Sequence, residues 1–141
     1  MPRFRPIVVF LALVTAVAAG CGGSASDTTS PDGPEVEFGR GAVPETVPGR
    51  FPIPDEAVVG ATLVDAGRGL TEIILTFPAG TAAVVDYYES NLPPSGYTIV
   101  DTHGSETDWR IVFADDATDG VVSVQTGGNG VAAAAVQFTE R

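Results

Sequence analysis

The chain has 141 residues, enough for one small domain and too few for several. Its formal net charge is −11, from eighteen acids against seven arginines and no lysine; such a chain is repelled by nucleic acid and anionic lipid head groups, and it has no amine for Schiff-base or Ser-Lys chemistry. One cysteine and one histidine leave no internal disulfide and no ordinary zinc site.

Arg3 and Arg5 precede an apolar run over residues 7–19 that is interrupted only by Thr15, and Ala18-Ala19-Gly20 places three small residues before Cys21. This is the layout of a secretory signal, with a basic start, an apolar middle and small residues at the cut. The run is short for a membrane span, which needs about 20 apolar residues. The alternatives are an ordinary signal cut nearby, leaving Cys21 as a free thiol, or an uncleaved anchor. A free thiol in an oxidising compartment is a liability, which weighs against the first.

Ala18-Ala19-Gly20-Cys21 resembles the lipobox of bacterial lipoproteins, with Ala where Leu is commoner. The resemblance implies that residues 1–20 are a signal peptide and that Cys21 becomes the first residue. Its thiol would then carry a diacylglyceryl thioether with palmitate-type chains, on the extracytoplasmic side of the cell membrane. A single acyl chain holds a protein only marginally, at about 0.8 kcal/mol per buried methylene, whereas two or three hold it stably. Loss of Arg3 and Arg5 with the signal would take the charge to −13.

Residues 21–50 are rich in Gly, Ser, Asp, Thr, Pro and Glu, and their apolar residues have no period. They are expected to form a disordered tether with a reach on the order of 30 Å. The alternative is a segment that folds on a partner around Val36-Glu37-Phe38.

The folded domain is expected over 51–141. Phe51-Pro52-Ile53-Pro54 is an extended, proline-stiffened approach, and strands follow at 57–65 and 70–77 across an Ala66-Gly67-Arg68-Gly69 turn. In the second strand Ile73, Leu75 and Phe77 alternate with Glu72 and Thr76. After the Pro78-Ala79-Gly80 break, Thr81 is a candidate N-cap for a helix over 82–92. Val84, Val85, Tyr88 and Leu92 fall on one stripe of that helix, and Pro93-Pro94 ends it. Four strands are expected next, at 97–102, around Trp109, Ile111 and Phe113, at 121–125 and at 131–139, with a turn over 115–120 and a glycine-rich turn over 126–130. The run Ala132 to Ala135 is helix-prone, but the hairpin spacing before it favours a strand. The fold class is therefore α+β, a mainly antiparallel ββαββββ sheet with one helix packed on one face.

Phe51-Pro52-Ile53-Pro54 with Ala57, Phe77-Pro78, Tyr88 with Leu92-Pro93, and Gly96-Tyr97 resemble small lipid-anchored actinobacterial domains without an assigned activity. These are structural positions, and the resemblance transfers no catalytic residue.

Few groups suggest chemistry. His103 stands near Ser95 and Ser105, but neither serine sits in a nucleophile elbow. Asp101, Glu106 and Asp108 cluster near one hairpin with no cleft implied. Asp115, Asp119 and Gly120 match part of a calcium loop, which fails at Ala117 and at Thr126, where oxygen ligands are wanted. Asp115 and Asp119 are a weak metal candidate beside the simpler reading of an acidic turn. No catalytic residue and no cofactor are expected.

With the large apolar residues of the strands facing the helix, the opposite face carries Ile74, Val112, Val121, Ala133 and Ala135. That is apolar for a solvated face and points to a partner or a second copy there, with isolated exposed apolar residues as the alternative. The leading expectation is a non-catalytic lipoprotein of the cell envelope that binds or scaffolds another, unknown envelope protein, with a homodimer also open. The alternative is a carrier of a small apolar or lipid ligand held between helix and sheet.

Overall fold

The computed structural model describes residues 36–141. Seven strands and one α-helix occur in the order β1 (Val36–Arg40), β2 (Val58–Asp65), β3 (Leu70–Phe77), α1 (Thr81–Asn91), β4 (Thr98–Gly104), β5 (Asp108–Ala114), β6 (Thr118–Thr126) and β7 (Ala132–Glu140). All strands join one antiparallel sheet in the order β1-β2-β3-β7-β6-β5-β4, so the chain builds outward from two hairpin stacks that meet where β7 lies between β3 and β6. The fold is α+β. No helix of the described residues is long and apolar enough to cross a membrane.

The alternation in β3 sets the two faces. Thr71, Ile73, Leu75 and Phe77 are buried, while Leu70, Glu72, Ile74 and Thr76 point the other way. Cross-strand register carries the buried set across the sheet: Ile73 lies opposite Val136, which lies opposite Val122, which lies opposite Ile111. Helix α1 covers this side over β5, β6 and β7 and buries Val84, Val85 and Tyr88, with Leu92 just beyond its end. The helix-prone alanines are strand residues, and Ala132 and Ala134 are fully buried on the helix side. Small side chains there let a helix approach a sheet whose other inward residues are large.

Three expectations are corrected. The tether does not extend to residue 50, because 36–40 form an edge strand on β2 and residues 41–57 pass over the helix side of the sheet. Val47 and Phe51 sink into the core from this strap. The strap is fastened in its middle, by a 2.7 Å hydrogen bond from Thr71 Oγ1 to Thr46 Oγ1 and by the ion pair of Arg50 with Asp115. Burial of a side chain such as Phe51 contributes about 1.5–3 kcal/mol, one part of what offsets the ordering of this proline-rich segment. Phe51 stacks on Tyr88 and Phe113 at centroid distances of 5.7 and 5.6 Å and meets Phe138 edge-on at 4.9 Å.

The helix also starts one residue early. Gly80 is its N-cap and no side chain caps it. The Thr81 hydroxyl lies 2.8 Å from the Thr126 hydroxyl and so is committed to the end of β6. The expected turn over 115–120 is likewise shorter. β6 begins at Thr118, so Asp119 and Gly120 are strand residues.

Candidate functional site: the outer face of the sheet

The face opposite α1 is built from alternate residues of every strand. One row runs from Phe38 through Leu63, Glu72 and Gln137 to Val121 and Val112. A second runs from Ile74 through Ala135 and Ser123 to Arg110 and His103. Ala133 lies in a third row between Thr76 and Gln125. The register thus places Ile74, Val112, Val121, Ala133 and Ala135 on one face, with Ile74 directly across from Ala135 and Val121 directly across from Val112. All five are half-buried although the only described α-helix packs on the other face. Small and β-branched residues at adjacent pairs shield one another, leaving a shallow apolar centre.

Three residues extend this centre beyond what the pattern of single strands indicates. Phe38 is 80% exposed, Val58 is exposed on the same face, and Leu63 is half-buried between Phe38 and Glu72. The ambiguous alternation of β2 hides its contribution, because a bulge between Val59 and Thr62 shifts the phase within the strand. Phe38 could have been found from Val36-Glu37-Phe38, the one segment of the expected tether with strand-like spacing.

Polar groups share this face, and the Glu72–Gln137 pair lies between Leu63 and Val121 in the first row. Gln137 Nε2 donates to Glu72 Oε2 at 2.6 Å, and Gln125 Nε2 donates to Asp108 Oδ2 at 3.2 Å. Near the β4 edge, His103 Nδ1 lies 2.8 Å from Asp101 Oδ2. Ser105 bonds Thr107 and the Asp108 carbonyl, so among the described residues no serine is hydrogen-bonded to His103. Of the acids near this hairpin, Asp101 and Asp108 lie on this face, whereas Glu106 lines a cleft on the helix side.

Asp115 and Asp119 are each engaged by an arginine. The Asp115 carboxylate accepts from the Ala117 and Thr118 backbone N–H groups, both at 2.8 Å, and pairs with Arg50. These interactions, the Ala117 bond foremost, hold its carboxyl below the usual carboxylate range. Asp119 accepts two bonds from Arg141, at 2.6 and 3.0 Å, and is likewise held low. A cation entering here would have to displace guanidinium groups. Among the described residues no three acidic or histidine side chains converge to hold a metal ion. Cys21, the expected lipidation site, lies outside the described residues.

In comparisons with known proteins, the chain matches no family model and no curated sequence.

Proposed function

We propose that this chain is a lipid-anchored, non-catalytic binding module of the cell envelope, held at the extracytoplasmic membrane surface through Cys21 and meeting a different protein on its outer sheet face. The observation that carries the binding part is the uncovered apolar centre around Ile74, Ala135, Val112 and Val121, continued by exposed Phe38. A face this apolar is normally covered in an antiparallel sheet that has a helix on its other side. The anchoring part is supported by the basic, apolar and small-residue order that ends in Ala18-Ala19-Gly20-Cys21.

The choice of a different protein over a second copy follows from charge. Two copies of so acidic a chain repel, and Glu72, Asp101 and Asp108 lie on the same face as the apolar centre. The fitting partner has a flat apolar patch flanked by basic side chains. The carrier reading finds no support in the core, where Phe51, Tyr88, Phe113 and Phe138 fill the space between helix and sheet.

Intact-mass analysis of the membrane fraction tests the anchor. The expected result is a mature chain beginning at Cys21 with thioether-linked acyl chains, and release of Cys21→Ala from the membrane. A free Cys21 thiol on a chain recovered in the soluble fraction would contradict it. Light scattering of the purified protein tests the choice of partner, with a monomer expected; a stable dimer would put a second copy on the outer face.

A further inference from the structure

A cleft of about 270 Å³ opens on the helix side, between α1 and the β4–β5 hairpin, away from the outer face. Its floor is apolar, formed by buried Val85 and the half-buried indole of Trp109, with Ala82 beside them. Its walls are acidic. Asp86 and Glu89 stand one helical turn apart on α1, and Glu106 faces them from the hairpin. No basic residue lines the cleft, and among the described residues these three carboxylates have no ion-pair partner. Three of the five described arginines are paired elsewhere, with Asp115, Asp65 and Asp119.

The lining is held in place. Trp109 Nε1 donates to Thr102 Oγ1 at 2.8 Å, and that hydroxyl donates to Glu89 Oε1 at 2.8 Å. One threonine therefore orients both the aromatic face and a carboxylate. The two walls are also tied together: the Thr81 hydroxyl at the start of α1 meets Thr126, whose backbone N–H donates to Thr107 O at 2.9 Å in the hairpin. The cleft is thus formed before any ligand arrives, which reduces the ordering cost of binding.

The carboxylates do not converge on a point as metal ligands do. They stand apart around an indole, an arrangement that suits a diffuse organic charge: a cation over the ring face, methylenes against Val85, and carboxylates at the sides. We propose that this cleft binds an alkylammonium or alkylguanidinium group, as a free amine or as the lysine or arginine side chain of a polypeptide.

Trp109 is the only tryptophan in the chain, so its fluorescence in the full-length protein reads the cleft directly. The probes are n-butylamine, agmatine and a capped Gly-Lys-Gly peptide, each at constant ionic strength. A saturable change with the cations and none with butanol is expected. Binding should weaken by roughly two- to fivefold in Glu106→Gln and again when Asp86→Asn is added, as for partly exposed charge pairs. Both positions are exposed, and unchanged far-UV dichroism would confirm that the variants fold. Tighter binding of the peptide assigns the cation to a polypeptide side chain, and tighter binding of the small amines assigns it to a free amine. The proposal is overturned by the absence of a saturable response, by an equal response to butanol, by full binding in the double variant, or by a saturable response to calcium chloride.

Discussion

Phe113 and Gly120 face each other across β5 and β6 on the helix side, and the Phe113 ring occupies the space that a side chain at position 120 would need. The glycine is there for room. Gly120→Ala drives a methyl into a ring already wedged between Phe51 and Phe138. We predict a loss of about 1–3 kcal/mol, the usual cost of overpacking a core. Urea denaturation checks it as a lower midpoint at unchanged slope.

Phe51 tests whether the strap is part of the domain. Its ring contacts Tyr88, Phe113 and Phe138, which belong to α1, β5 and β7. Phe51→Ala is predicted to destabilise the protein by about 3–5 kcal/mol, as for other buried aromatics. A segment that merely trailed from the domain would tolerate the change within about 0.5 kcal/mol.

Tyr88 is fully buried, and its hydroxyl has no hydrogen-bond partner among the described residues. Burial, with the neighbouring Tyr87 adding to it, pushes the phenol well above its ordinary value of 10.0. The unfolded chain releases this proton near its ordinary value while the folded chain keeps it. The folded state therefore has its full stability below that pH and loses stability as pH rises above it. Tyr88→Phe removes both the orphan hydroxyl and the titration. Stability at neutral pH should stay level or rise by about 1 kcal/mol, and the alkaline loss of stability should become shallower, as followed by denaturant midpoints across pH.

Asp115 acts in the opposite pH range. Its lowered pKa means that the folded state holds the carboxylate more tightly than the unfolded chain does. The stability it contributes is present above the ordinary carboxylate value of 3.8 and is lost as pH falls below it. Asp115→Ala should lower the melting temperature at neutral pH by freeing the strap at Arg50 and the β5–β6 turn. It should also flatten the acid limb of the stability curve, which thermal unfolding between neutral and strongly acidic pH would show.

The parts of the fold that were legible in the chain are those where burial repeats at a fixed interval. Ile73, Leu75 and Phe77 alternate, and Val84, Val85, Tyr88 and Leu92 keep helical spacing, so both faces of β3 and the buried stripe of α1 follow directly. β1 was illegible because none of its five residues is buried; it belongs to the sheet through backbone pairing with β2. Val47 and Phe51 carry no period either, since each fills a separate gap in the core from an irregular strap. Thr81 reads as a helix cap by residue type, but its hydroxyl goes to Thr126, a partner 45 residues away. The outer face was legible residue by residue, whereas its extension to Phe38 required β1.

Site-specific photocrosslinking asks most directly whether the outer face is where a partner docks. A benzophenone side chain would replace Ile74 or Val112 in the full-length protein in its own membrane, with exposed Arg68 in the β2–β3 turn as the control position. We predict one discrete heterologous adduct from both outer-face positions, absent from the Arg68 control and lost on Cys21→Ala, the substitution at the proposed anchor. Failure to form an adduct from either outer-face position, or the same adducts from Arg68, would contradict a docking role for this face.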